Sequence, residues 1–443
     1  MKRLFSVCLF ILTATISHAQ VSYDINEPNV VAKMGDLTLS KDVVEIFWQS
    51  YNHPSRPISP PQAMQRILDE ALLAEHARKT LPKDILNLEN KVGFLLSVQH
   101  EDRSIALIRK ANEESLKKAI QKMPNKSLDG IYQFNKNLSA DEYKKLFSLK
   151  SKVNIEATPE QLEIAKKTPV ATLTLDGKET TLSLWDIYRR QNVQGRLSMH
   201  NGNLDHLKSE TRQRIGSLFV LNWAKENLPE QDLKAIQQIV LNEQHKKTLL
   251  QNMGLYADVH DDNPVLREKA QSISEEEVLE FYNEHKDEFE VVEKVKARHI
   301  RVKSQDLADR IHHEIKDGLS FEKAVKKYSI AEDKNNPIPG DLGWLVRKDK
   351  KRSWLHSVAF THRAGQVSVP FRSPQNQGDI VYEIIFVDER VDGYLPVTDP
   401  TVRYEASRDI ALKKLKEEFY SLQKRLRNEA DIHLNKKAFS GPK

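Results

Sequence analysis

The stretch Phe289-Glu290-Val291-Val292-Glu293-Lys294-Val295-Lys296-Ala297-Arg298-His299-Ile300-Arg301-Val302 decides how this chain is read. It is rich in valine and isoleucine, residues that suit a pleated strand. The segment before it has the opposite character. Ser274 followed by Glu277 forms a capping-box pattern, and residues from Ser274 to Asp287 read as a helix. A mostly helical region therefore gives way to a sheet-forming one, and the expected class is α+β.

Upstream, the helical region contains a duplication. Val31-Ala32, Gly35, Leu37 and Leu39 lead into a helical stretch with Val43, Ile46 and Phe47. Val170-Ala171, Asp176-Gly177, Leu182 and Leu184 lead into another with Trp185, Ile187 and Tyr188. Each reads as a β-hairpin followed by a helix. Gln65-Arg66-Ile67 opens a helix ending at Leu81-Pro82, and Gln213-Arg214-Ile215 recurs ahead of Leu228-Pro229. Ser139 with Glu142 repeats the capping pattern of Ser274 with Glu277. Downstream, Asp399 is placed to cap a helix and Pro400 suits its first turn. Val402, Ala406, Leu415, Phe419, Leu422, Leu426 and Ala430 recur along it at helical spacing, and this single apolar stripe is expected to dock on the N-terminal modules. The expected divisions are a leader at 1–19, helical modules at 20–165 and 166–290, a sheet domain at 291–392 and a C-terminal helix at 393–443.

Five pieces in order carry a family resemblance. They are Ala297-Arg298-His299-Ile300-Arg301-Val302, Gly318-Leu319-Ser320-Phe321 with Tyr328-Ser329, Gly340-Asp341-Leu342-Gly343-Trp344, Gly365-Gln366-Val367-Ser368-Val369-Pro370, and Tyr382-Glu383-Ile384-Ile385-Phe386-Val387. Together they resemble a parvulin, the PpiC family of peptidyl-prolyl isomerases, and the flanks are similar to those of SurA-like chaperones. The resemblance implies a four-stranded antiparallel sheet wrapped by helices. It also implies a site of two facing histidines, a cysteine or aspartate, and an apolar proline pocket. His299 fits the first histidine and Leu342 the pocket leucine. Glu383 stands where the second histidine belongs, and Ala331 where the cysteine or aspartate belongs, with Glu332 and Asp333 just after it. The pocket methionine falls on Lys350 or Lys351. Trp354, Leu355 and Phe360 remain as apolar binding candidates.

Prolyl isomerisation breaks no bond. Its barrier, roughly 18–20 kcal/mol, is the loss of amide resonance, so a catalyst needs an apolar slot and polar groups that favour the twisted amide. With one histidine replaced and lysine at a pocket position, the expected site is a degraded one. If strands pair as in the family, Glu383 approaches His299 and raises its pKa.

Composition narrows the remaining choices. The 443 residues carry 68 Lys and Arg against 63 Asp and Glu, a mixed balance that argues against nucleic acid as partner. Lys2 and Arg3, the apolar run Leu4 to Ile16 and Ser17-His18-Ala19 form a secretory-leader pattern, which predicts export to the periplasm and no stable membrane insertion afterwards. The single cysteine, Cys8, lies in that leader, so a thiol nucleophile is not expected. His312-His313 are adjacent on a helix and face different ways, and neither a metal nor a cofactor is expected. The leading expectation is a folding factor that holds unfolded or extended envelope polypeptides, outer-membrane or exported ones. The alternatives are an active isomerase using His299 with Glu332 or Asp333, and a dedicated secretion or assembly factor that docks through the parvulin domain.

Overall fold

The computed structural model describes residues 20–89, 92–148, 156–256, 262–348, 353–374 and 379–438. The expected leader, with Cys8, and the Lys350 and Lys351 pocket positions lie outside the described residues. The chain divides into two compact units, one of Met1–Val265 with Lys414–Lys443 and one of Leu266–Lys413.

In the first unit, two hairpins stand at the duplicated positions. Val30–Met34 pairs with Leu37–Ser40, and Pro169–Leu175 with Lys178–Ser183. The second turn puts both Asp176 (φ 48°) and Gly177 (φ 76°) in the left-handed region, which matches the right-handed twist of a two-residue hairpin. Each hairpin runs into a helix through a serine cap. Ser40 Oγ accepts from Val43 N–H at 3.1 Å ahead of Lys41–Tyr51, and Ser183 with Asp186 forms a capping box ahead of Leu184–Tyr188. The long helices Pro60–Thr80 and Leu204–Asn227 end where the Leu-Pro pairs begin, because proline offers no N–H to continue the ladder. The core gathers Leu39, Val43, Phe47, Ile67, Leu68, Ile236 and Ile239, all almost fully buried.

A C-terminal strand had no counterpart in the sequence reading. Asp431–Leu434 inserts between Gln20–Ser22, to which it is parallel, and Val30–Met34, to which it is antiparallel. The helix before it, Pro400–Glu429, starts with Asp399 Oδ1 accepting from Thr401 N–H at 3.0 Å. Its apolar stripe was expected to dock on the N-terminal modules, and in the structure it divides between the two compact units. Phe419, Leu422 and Leu426 pack with Leu73, Ala77 and Leu249, whereas Val402 and Ala406 pack within the second unit, with Phe289, Leu395, Ile273 and Val278. Each half buries its stripe on the nearest apolar surface of its own unit.

The second unit is built on four antiparallel strands in the order Asp341–Val346, Glu290–Val302, Tyr382–Tyr394, Phe371–Arg372. Alternation sends successive side chains to opposite faces. One face, with Ile300, Val302 and Ile384, is covered by the helices Gln305–Lys316 and Phe321–Tyr328 through Ala308, Ile311, Phe321 and Val325. The other, with Val295, Ala297, Ile385 and Val387, meets the helix Trp354–Ala359 through Leu355 and Ala359. Among the described residues, no helix is long and apolar enough to cross a membrane.

Candidate functional site

The register places His299 opposite Ile385 and Arg301 opposite Glu383. Odd-numbered positions on both strands share a face, so His299, Arg301 and Glu383 converge, with Glu383 diagonal to His299. The Gly340 turn closes over them. His299 N–H donates to Gly340 C=O at 2.8 Å. Gly340 sits at φ +72°, and a Cβ there would lie 2.4 Å from the His299 carbonyl oxygen, so only glycine allows this approach.

The side-chain geometry is a chain of ion pairs. His299 Nδ1 lies 2.7 Å from Glu383 Oε2, and His299 Nε2 lies 2.7 Å from Asp333 Oδ2. Arg301 Nε donates to Glu383 Oε1 at 2.6 Å. Glu383 is fully buried, His299 is 3% exposed, and the Asp333 side chain is 23% exposed. Both ring nitrogens of His299 face carboxylate oxygens, which only accept, so the imidazolium with two N–H donors is the form that satisfies them. Two carboxylates then balance one imidazolium and one guanidinium. Burial by itself would lower the His299 pKa, but the hydrogen bonds and charges of Glu383 and then Asp333 outweigh it, and the pKa is raised.

Of the residues singled out in the sequence, His299 and Glu383 meet. Ala331 has no polar side-chain atom to offer the imidazole. It is buried, its N–H donates to Ser329 Oγ at 3.2 Å, and it precedes the 3-10 turn Glu332–Asn335. That turn carries Asp333 back to His299, with Gly340 N–H donating to Asp333 C=O at 3.1 Å. Asp333 thus supplies the carboxylate that meets His299 Nε2. Leu342, Trp354, Leu355 and Phe360 all join the apolar cluster on the His299 face, where Trp354 stands edge-on to Phe371 with centroids 5.3 Å apart. The sequence reading missed Arg301, Phe371 and Ser329. Arg301 was legible in one respect, since it shares strand parity with His299. Buried Ser329 accepts from both Arg301 N–H and Ala331 N–H. Arg347 and Lys348 of the basic run are described, and 349–352 are not. Among the described residues, no group of three or more His, Cys, Asp or Glu side chains is arranged to hold a metal.

Comparison with known proteins agrees with this geometry. Residues 273–399 match the PPIC-type PPIASE domain family. The foldase protein PrsA of Geobacillus is 30% identical over 130 residues, covering 28% of this chain and 42% of that protein. A Helicobacter pylori protein provisionally named as a peptidyl-prolyl cis-trans isomerase is 26% identical over 279 residues, covering 59% of this chain and 85% of its own length. The match spans less than half of the first PrsA relatives. A solved Campylobacter jejuni structure, from work describing two SurA-like chaperones, aligns with 58% of this chain and 97% of that one, at 20% identity and a TM-score of 0.21, an overlap too small to argue from. The paired sheet, the Gly340 turn over His299 and the matched residues agree: residues 273–399 are a parvulin domain of the PPIC type.

Proposed function

We propose that the protein is an exported foldase that holds unfolded envelope polypeptides, and that its parvulin site has lost most of its isomerase chemistry. One observation carries the second half. Both nitrogens of His299 are committed to carboxylates, and Glu383, in the place of the second family histidine, is itself locked by Arg301. No imidazole N–H or lone pair is left to follow a substrate amide as it twists, and displacing a buried partner would cost about 3–5 kcal/mol. An apolar surface for a proline ring remains in Leu342, Trp354, Leu355 and Phe360. The chaperone half is supported by the PrsA relatives, whose names describe foldases. Export is supported by the leader pattern at 1–19, a basic start followed by an apolar run and small residues.

The test uses the full chain in two assays. It should suppress aggregation of a denatured client on dilution. In a coupled proline-isomerisation assay its turnover should be low, and His299→Ala should leave it unchanged. Fast turnover abolished by His299→Ala would sink the degraded-site reading and favour an active isomerase in which Asp333 supplies the acidic partner.

A further inference from the structure

A groove of about 1140 Å³ lies within the first unit and has no part in the site described above. It is bounded by the helix Glu113–Gln121 and the turns after it, the strand Pro169–Leu175 and the C-terminal end of the helix Leu204–Asn227. Its apolar lining is Met123, Ile131, Leu175, Phe219 and Trp223. Its charged lining is mostly acidic: Lys118 and Lys122 stand on the Glu113–Gln121 side with Asp129 in the turn after it, and Asp176, Glu179 and Glu226 stand on the opposite side. Asn222 Nδ2 donates to Asp176 Oδ2, and Glu226, one helical turn beyond Asn222, lines the same rim. Two carboxylates thus sit at the rim, and among the described residues no lysine or arginine forms an ion pair with either.

The backbone adds a third element. The strand Tyr132–Phe134 pairs with Ala171 to Leu173, and Asn135 N–H donates to Val170 C=O at 2.8 Å. Alternation therefore aims the N–H and C=O of residues 170, 172 and 174 toward that neighbour. The neighbouring strand begins at Tyr132, opposite Leu173, and the residues before it form the 3-10 turn Leu128–Ile131. Exposed Thr174 consequently presents its N–H and C=O to the groove without a strand beside it. An incoming extended chain would find a main-chain pairing edge, an apolar bed and an acidic rim side by side.

We propose that this groove captures an extended segment of unfolded polypeptide, pairing its backbone with Thr174, burying an aromatic or aliphatic side chain against Phe219 and Trp223, and placing a lysine or arginine on Asp176 and Glu226. The proposal deepens the chaperone reading and rests on it. It assigns the client a chemical pattern, a basic residue beside apolar ones in an extended run.

The test is fluorescence anisotropy on the full chain with a labelled decapeptide that alternates Phe and Thr around a central Lys, and with its counterpart bearing Glu at the centre. The Lys peptide should bind about five-fold more tightly, the range of a partly exposed ion pair. Glu226 is exposed, so Glu226→Lys leaves the core intact, and it should abolish or reverse the preference. Thr174→Pro removes the edge N–H and should weaken both peptides about five-fold, the worth of one net hydrogen bond. If the chain suppresses client aggregation but binds both peptides equally, or if Glu226→Lys leaves their ratio unchanged, the groove assignment is overturned and the chaperone reading stands. If the wild-type chain neither suppresses aggregation nor binds either peptide, both fall together.

Discussion

Glu383→Gln is the sharpest perturbation of the parvulin site, because it keeps volume and removes charge. In the native site each Glu383 oxygen accepts one short hydrogen bond, from His299 at 2.7 Å and Arg301 at 2.6 Å, with no exposure to water. Glutamine offers one acceptor oxygen, so its amide faces the second donor and that donor loses its partner. Removing one partner of a buried pair costs about 3–5 kcal/mol. The Arg301 side chain is 37% exposed and can turn to water, and His299 can release its proton, so the loss belongs at the lower end, about 3 kcal/mol. For a unit of the size of Leu266–Lys413 each kcal/mol moves Tm by about 2–4 °C, which predicts a fall of about 6–12 °C. The pH dependence gives an independent readout. The folded pKa of His299 is raised, so its contribution is fully present below the unfolded imidazole value of about 6.5 and is lost as pH rises through the folded value. The slope of that loss is at most about 1.4 kcal/mol per pH unit. In Glu383→Gln the largest raising influence is gone while burial still opposes the charged form, so this slope should shrink. Calorimetry of both proteins between about pH 6 and pH 8, with hydrogen exchange on the strand Glu290–Val302 to assign the transition, measures both quantities. A variant within about 0.5 kcal/mol of wild type, or one with an unchanged pH slope, would refute the ion-pair account.

Asp333→Asn should lower the His299 pKa, read by imidazole NMR, and cost about 1–2 kcal/mol in denaturant unfolding, less than Glu383→Gln because this carboxylate is partly exposed. An unmoved His299 titration would mean that Asp333 does not hold it. Gly340→Ala and Gly343→Ala form a matched pair. Both glycines have positive φ, but only at 340 would the Cβ meet the His299 carbonyl, so Gly340→Ala should be the more damaging by at least about 1 kcal/mol in denaturant unfolding. Arg427→Ala removes the cation paired with Asp69, whose side chain is 11% exposed, and should cost about 1.5–3 kcal/mol and speed hydrogen exchange in the strand Asp431–Leu434. Unchanged exchange there would separate the helix from the strand that follows it.

The features readable in the sequence share one property, short range. The Asp176-Gly177 turn, the capping boxes at Ser139 and Ser274 and the helix ends at the Leu-Pro pairs each depend on residues within about four positions of one another. His299 facing Glu383 is a longer inference, and it came from family strand pairing rather than from local pattern. Ala331 shows where that inference strained. A 3-10 turn of four residues moved the acidic position two places along, and motif spacing by itself could not choose among Ala331, Glu332 and Asp333.

By itself the sequence determined the α+β class, the paired hairpins, the strand that carries His299 and the glycines that let a turn close over it, because backbone propensity and side-chain parity are local properties of the chain. Only the tertiary structure decided that Asp431–Leu434 enters the N-terminal sheet, that the stripe of Pro400–Glu429 serves two cores, and that Arg301 and Asp333 complete the charge balance around His299. Those outcomes join residues tens to hundreds of positions apart, and their free energy comes from burial and charge neutralisation that exist only once the elements have packed.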